Sequence, residues 1–442
     1  MNTINKIYGA HDDATVKQLE RCVQVDSEAI GVLCADGHKG YSMPIGGVVA
    51  YKDYISPSGV GYDIACGNMA VETDLFASDI SEAEWNRLAN EIEARISFGI
   101  GRKNNEPVDH QVFDTIKHSS IPQQRNLIQK AQQQLGTVGS GNHYVDLLVD
   151  QQSGRVWVAV HFGSRGFGHT TAKGFMAVAQ GKQFDDAKGE GEMDAPPLLL
   201  RVDSPSGQDY IEAMHVAGAY AYAGREVVVT KVLEILGTKS TFTVHNHHNY
   251  AWRERHNEES WWVVRKGATP AFPGQYGFVG GSMGDISVIL RGVDSELSKA
   301  SLYSTVHGAG RVMSRTQAAG KQKWVKSAWT CGNYRTCNFT APAVEYEKGQ
   351  ENQCPNCAGK LHFRKSHMFR ASDGLVNFEA ETGKLRERGI ILRGAGADEA
   401  PPVYRPLQSV LDAHAGTIEI IRTFLPKVVV MAGKDEFDPY KD

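Results

Sequence analysis

Four times in this chain an apolar, β-leaning run meets a histidine, three times among glycines. Arg155–Val160 leads straight into His161-Phe-Gly163-Ser-Arg165-Gly-Phe-Gly168. Thr241–Val244 ends in His245-Asn-His247-His248-Asn249, and Ser304-Thr-Val306 ends in His307-Gly308-Ala309-Gly310-Arg311. Gly139-Ser-Gly141-Asn142-His143 runs the other way, from a glycine loop into Tyr-Val-Asp146. Packing explains one such histidine easily and four poorly. A chain of 442 residues patterned in this way fits one large α/β or α+β body whose strand ends carry the chemistry. Glycines there let backbone N–H groups approach an anion. Arginine adds a forked cation suited to phosphate. Neutral imidazole supplies either a nucleophile or a metal ligand.

Bulk composition narrows the class. The net charge of −4 excludes binding of nucleic acid by a general basic surface, so any such contact needs a local patch. Seven cysteines, an odd count containing a tight pair, argue for reduced thiols used as ligands rather than a secreted disulfide framework. No apolar signal core opens the chain, and no apolar run approaches the roughly 20 residues that span a bilayer. The expectation is a cytoplasmic protein without a membrane partner, with a monomer as the simplest state.

The pattern predicts a polar helix near Asp13–Cys22, a buried strand Ile30–Cys34 and a second strand Gly46–Tyr51. Asp36 and His38, just after the first strand, either reach a site or cap a turn. Residues 80–98 read as an amphipathic helix, with a capping box of Ser81 and Glu84 and an apolar face of Trp85, Leu88, Ile92 and Ile96. Residues 181–198 read as a surface loop, and Asp209–Leu236 as a long buried helix. Tyr276–Val279 reads as a strand, residues 407–425 as a last amphipathic helix, and Val428–Met431 as a terminal strand.

Asp63 and Cys66, three apart between glycines, offer a carboxylate and a thiolate at a spacing that can face one divalent cation; a turn aspartate beside a buried free cysteine is the alternative. Gly280-Gly281-Ser282-Met283-Gly284 after the Tyr276–Val279 strand is suited to phosphate but lacks the P-loop spacing. Together Asp63, Cys66, His143, His161 and His248 suit a pair of Mn²⁺, Zn²⁺ or Fe²⁺ ions. His307 remains as the group beside a bound phosphate, where a neutral imidazole can attack a metal-polarised α-phosphate.

These blocks, with Arg265-Lys-Gly-Ala-Thr, Ser314-Arg315 and Asp398-Glu-Ala-Pro401, stand in an order that resembles the RtcB family of GTP-dependent RNA ligases. The likeness runs from about Ala35 to Gly433 and is interrupted by a cysteine-bearing insertion. It implies a compact α+β catalytic body. It implies that His307 becomes guanylylated, and that Asp63, Cys66, His143, His161 and His248 hold two Mn²⁺ ions, with Cys66 bridging. It places GTP or GMP against Asn142, His143, Asp146, His248, Asn249, Gly280, Gly281, Ser282, Met283, Ser287, His307, Gly308, Ala309, Gly310 and Tyr404, and RNA phosphate against Arg165 and Arg311. The implied reaction joins an RNA 3′-phosphate or 2′,3′-cyclic phosphate to a 5′-hydroxyl in RNA repair or tRNA splicing, on broken tRNA or rRNA. A Mn²⁺-dependent RNA phosphoesterase is the alternative, with His307 as ligand or acid. Asp146 stands where the family usually has glutamate, Gly280 where it often has proline, and Ala432-Gly433 where it tends to have lysine-glycine, with Lys434 one place late.

The insertion divides the catalytic body into residues 1–317 and 369–442. Within 318–368, Cys331, Cys337, Cys354 and Cys357 form two pairs that resemble a structural zinc ribbon. Lys321, Lys323, Lys326, Arg364, Lys365 and Arg370 surround them, as a solvated surface or as a grip on RNA.

Overall fold

The computed structural model describes residues 2–187, 192–325, 328–333, 336–342, 353–364, 367–370 and 372–433. Lys326, Lys365 and Lys434 therefore lie outside the described residues, as does part of the expected 181–198 loop.

Two sheets and a layer of helices make one α+β body. The larger sheet orders its strands Tyr276–Val279, Ser287–Gly292, Ile418–Gly433, Tyr144–Asp150, Arg155–Phe162, Gly67–Phe76 and Ser240–His247, all paired antiparallel. Ile391–Ala395 joins it, parallel to Ile418–Gly433. Its two ends nearly meet. The Phe278 N–H donates to Asn246 Oδ1 at 3.3 Å, and Asn68 Nδ2 donates to the Phe278 carbonyl at 3.1 Å. The curl brings strand ends from far apart in the chain to one mouth. The smaller sheet runs Thr3–Ile7, Ile30–His38, Ile45–Tyr51, Glu259–Lys266 and Asn249–His256.

Helix Pro205–Leu236 packs against helix Arg165–Ala179 and strand Arg155–Phe162. It begins four residues earlier than its apolar pattern predicts. Ser204 Oγ accepts from the Gly207 N–H at 3.1 Å, and Pro205 fills the first helical position, where no N–H is needed. Gly237 closes the helix at φ +67. The Asp13–Gln24 helix stands where expected, capped by Asp12, whose carboxylate accepts from the Thr15 N–H at 2.7 Å. Helix Glu82–Arg95 buries Trp85, Leu88 and Ile92 as read. Ser81 caps it, but the expected capping box does not close, because the Glu84 carboxylate turns outward to pair with Arg87.

Two expectations need correction. The first strand continues past Cys34 to His38, so Asp36 sits in a strand rather than at a turn cap. Residues 407–425 do not form one helix. Leu407–Asp412 is helical, and Ile418–Gly433 is a single long strand that absorbs the expected terminal strand. The run Thr417-Ile-Glu-Ile-Ile-Arg-Thr-Phe is rich in β-branched residues, and Pro426 would break a helix. The sheet accommodates that proline at a register shift between Pro426 and Val428.

Between helices Arg315–Ala319 and Phe378–Glu387 the chain leaves the body as a ribbon, Gln322–Val325 against His367–Arg370. The ribbon carries a three-stranded sheet of Thr340–Pro342, Ala328–Cys331 and Leu361–Arg364. No described helix is long and apolar enough to cross a membrane.

Candidate active site

His307 follows the Ser304–Val306 strand directly. Its ring Nδ1 lies 2.7 Å from Asp36 Oδ2, and its backbone N–H donates to the same oxygen at 2.9 Å. The Gly308 N–H adds a third donor at 3.3 Å. A carboxylate only accepts here, so Nδ1 holds a proton, and in the neutral ring the lone pair is left on Nε2. Burial pushes the Asp36 carboxyl up; the charge and hydrogen bonds of His307 reverse that and hold it below the ordinary range. Gly267 stands against the ring, where a Cβ would fall 3.0 Å from His307 Cε1.

Beside this pair lies a cluster of donors. Cys66 Sγ is 3.7 Å from His143 Nε2 and 3.6 Å from His161 Nε2. Asp63 Oδ2 is 3.1 Å from His143 Nε2. One ligand atom from each of Cys66, His143 and His161 lies within 4.8 Å of the other two, a spacing that one cation can bridge. His161 Nδ1 contacts Asn68 Oδ1 at 2.7 Å, and the Asn68 amide is oriented by its own bond to Phe278. His161 therefore donates through Nδ1 and turns an unprotonated Nε2 toward the thiol. His248 stacks on His161 with ring centroids 5.0 Å apart and stands 4.8 Å from the His307 ring. Its Nδ1 is buried without a hydrogen-bond partner, as is His143 Nδ1.

Electrostatics match this donor set. Burial holds His161 and His248 well below the usual histidine range, keeping both neutral. Burial, with Asp63 beside it, pushes the Cys66 thiol well up. A thiolate there would be costly without a cation to neutralise it. Desolvation also pushes Asp63 up, but the hydrogen bond and charge of His143 hold it below the ordinary range. Glycines make the room: a Cβ on Gly163 would sit 2.3 Å from Asp63 Oδ1, and one on Gly139 would sit 2.1 Å from His143 Nδ1.

Opposite the cluster, two glycine loops run side by side through a bridge between Gly280 and Gly308. Both line a cavity of about 360 Å³. Asn142, Asp146, Asn249, Gly281, Ser282, Met283, Ala309, Gly310, Arg311 and Tyr404 share that wall with His307 and all five candidate ligands. Ser287 does not line the cavity; it sits behind the loop and accepts from the Gly281 N–H at 3.4 Å. Arg165 is absent from the lining too, its guanidinium donating to the Gly99 carbonyl at 2.7 Å and to Thr137 Oγ1 at 3.2 Å. Arg311 reaches the Tyr404 hydroxyl at 3.1 Å and the Asp398 carbonyl at 2.9 Å. Burial pushes the Asp146 carboxyl well above its ordinary range, and its Oδ1 has no partner.

Asn68 falls in none of the motifs the sequence singles out, while Glu399 and Lys266 stand in motifs without an assigned role. Asn68 is a polar residue fully buried in a strand interior, a signal that only burial reveals. Glu399 binds Arg315 at 2.6 Å and also contacts Arg311 and Tyr404, tying the cationic edge of the cavity together.

The four insertion cysteines converge separately. Cys331 and Cys357 sulfurs lie 3.4 Å apart, those of Cys337 and Cys354 3.5 Å, and all four fall within 4.8 Å of one another.

Fold and site thus define a protein in which a carboxylate-oriented histidine stands beside a thiol–imidazole cluster, next to paired glycine loops. The family model described as tRNA-splicing ligase RtcB matches residues 18–123 and 114–330. An RNA-splicing ligase RtcB of Escherichia coli K12 is 33% identical over 308 residues, covering 64% of this chain and 74% of that protein. RNA-splicing ligase RtcB homolog 1 of Entamoeba dispar is 30% identical over 377 residues, covering 69% of each. A tRNA-splicing ligase RtcB of Nanoarchaeum equitans is 30% identical over 361 residues, covering 65% and 74%. The chain belongs to the RtcB family.

Proposed function

We propose that this protein is a GTP- and Mn²⁺-dependent RNA ligase that joins 3′-phosphate or 2′,3′-cyclic phosphate ends to 5′-hydroxyl ends, working through a guanylylated His307. The observation that carries the reading is the Asp36–His307 pair, which fixes the tautomer a nitrogen nucleophile needs, at the edge of a cavity walled by glycine loops. His307 Nε2 attacks the α-phosphorus of GTP; a P–N bond forms and the bond to pyrophosphate breaks. Asp36 stabilises the positive charge that develops on the ring. A 2′,3′-cyclic end is first hydrolysed, water adding to phosphorus as the P–O2′ bond breaks; an oxygen of the 3′-phosphate then displaces the imidazole, taking GMP, and the 5′-hydroxyl, losing its proton to solvent, attacks that activated phosphate and releases GMP. Activation is needed because a phosphate monoester has no good leaving group.

Asp63, Cys66, His143, His161 and His248 would hold the Mn²⁺ ions. The fit rests on two neutral, buried imidazoles, a thiol that needs a cation to ionise, and the His248 Nδ1 buried without a partner. Bound there, the metal would draw charge from the phosphate under attack. The loops Gly280–Met283, backed by Ser287, and Gly308–Gly310 would offer the nucleotide backbone N–H groups other than those of Gly281 and Gly308, which are held by Ser287 and Asp36. Asn142, Asn249, Asp146 and Tyr404 would define its place, and Arg311 would meet RNA phosphate. Arg165 would act from behind Gly139 rather than by touching RNA. The insertion, residues 318–368, would be a separate module closed by zinc. Four sulfurs 2.3 Å from one Zn²⁺ stand about 3.8 Å apart, close to the spacings seen.

Incubation with α-labelled GTP and Mn²⁺ tests the reading. Label that survives alkali, is lost in acid and vanishes in His307→Ala supports it. Hydrolysis of RNA cyclic phosphates without labelling would point instead to a phosphoesterase.

A further inference from the structure

Helix Pro205–Leu236 is buried along much of its length, and one cation stands in its middle. Arg225 is fully buried. Its guanidinium donates from Nη1 to the Ala65 carbonyl at 3.0 Å and to the Phe162 carbonyl at 2.6 Å. Nε donates to His245 Nε2 at 2.9 Å, and Nη2 to His247 Nδ1 at 3.1 Å. Tyr222 covers it, with the guanidinium carbon 5.0 Å from the ring centroid. Burial lowers its pKa to about 10, which leaves it charged at neutral pH.

Three of these partners are chain neighbours of candidate metal ligands. Ala65 precedes Cys66, Phe162 follows His161, and His247 precedes His248. The three segments lie on strand ends paired edge to edge, as Gly67 with Phe162 and Gly67 with His247, and the Cys66 and His248 segments are also joined by the His248 N–H to the Cys66 carbonyl at 2.8 Å. Arg225 ties them from behind with one rigid, planar fork. A fork of this kind fixes distance and angle together, which a lysine point charge does not.

The residue is a poor choice for stability alone. A buried cation held by carbonyls and neutral imidazoles, with none of its four bonds going to a carboxylate, bears a desolvation cost that a well-packed apolar side chain would not. Its four bonds repay that cost in geometry, and all four serve the ligand-bearing segments.

We infer that Arg225 is a positioning residue for the metal site: it sets the mutual placement of Cys66, His161 and His248 without touching metal or substrate. The inference rests on the reading of those residues as metal ligands. Outer partners of this kind typically change metal affinity roughly 10- to 100-fold when removed.

The test compares full-length Arg225→Met and Arg225→Lys with the unsubstituted protein. Mn²⁺ affinity is measured by electron paramagnetic resonance titration, and the Co²⁺-substituted form by its thiolate-to-metal and d–d absorption. Thermal unfolding without metal reports on the fold. R225M should unfold near the temperature of the unsubstituted protein, bind Mn²⁺ at least about tenfold more weakly, and show altered Co²⁺ bands. R225K, with the charge but not the fork, should bind between the two. Should R225M fail to fold, R225K decides alone, through weakened binding and shifted bands. A folded variant with unchanged affinity and spectrum overturns the inference. If the unsubstituted protein binds no Mn²⁺ or Co²⁺ at these residues, it is the ligand assignment that fails, a distinct result.

Discussion

Asp36 and His307 are 271 positions apart in the chain, yet one carboxylate oxygen of Asp36 accepts from both the ring and the backbone of His307. The arrangement leaves one tautomer. Asp36→Asn keeps the shape but offers either an amide N–H or a neutral oxygen to the ring, so the nucleophilic tautomer is no longer imposed. The expected result is a fall of roughly 10²- to 10⁴-fold in the rate of His307 guanylylation, the usual scale for a mispositioned base. Nucleotide affinity should change little. Single-turnover labelling with α-labelled GTP measures the rate, and an unaltered rate would remove Asp36 from the mechanism.

Cys66 lies between two imidazoles and touches both at hydrogen-bond range for sulfur. Cys66→Ser replaces a polarizable thiolate with a hydroxyl that ionises far less readily. We expect weaker Mn²⁺ binding and slower guanylylation, with the fold intact because serine is smaller. Metal titration followed by unfolding separates these effects. Unchanged metal stoichiometry and affinity in C66S would count against a bridging role.

Much of this site is legible in the sequence because the candidate ligands advertise themselves. A histidine at the end of an apolar run is unusual, and its repetition at His143, His161, His248 and His307, three times among glycines, points to one centre. The partners that orient those rings were not visible. Asn68 lies in a strand with no local oddity, and its role exists only because the sheet curls until Asn68 meets Phe278. Asp36 could be singled out but not assigned, since nothing local separates a turn cap from a long-range partner. At the C-terminal end the expected helix over 407–425 failed for a different reason. Isoleucines spaced for a helical face also suit a strand, and the tertiary demand for a central strand beside Tyr144–Asp150 decided between them.

The insertion makes a prediction independent of catalysis. Three of its four cysteines are buried and Cys357 is exposed, with a thiol lowered to about 7 chiefly by a backbone hydrogen bond from Gly359 and by Cys331. Burial pushes the Cys331 thiol up to about 12, so full ionisation of the set calls for a cation, and four converging sulfurs suit zinc. Metal analysis of purified protein should find one zinc that remains when the catalytic metals are removed by mild chelation. Cys354→Ser should lose it while His307 is still labelled by GTP. Protein free of zinc after purification without chelators would refute the assignment.

Beneath the His307 strand lies a buried ion network that should govern acid stability. Arg265, fully buried, binds Glu254 through both carboxylate oxygens, at 2.6 and 3.0 Å. The same guanidinium holds Ser304 Oγ at 2.8 Å and the Leu302 carbonyl at 2.9 Å, fixing the segment that delivers His307. Burial pushes Glu254 up, but Arg265 and His256 hold it below its ordinary range. A carboxyl depressed in the folded state adds stability above its unfolded pKa, about 4.3, and loses it as pH falls through the lower folded value. Glu254→Gln leaves Arg265 without its counter-charge, and should cost about 3 kcal/mol at pH 7. The gap between E254Q and the unsubstituted protein should narrow as pH drops below about 4, because protonation removes the same charge. Urea unfolding at a series of pH values measures both. A gap that stays constant to low pH would mean that packing, rather than the ion pair, holds this strand in place.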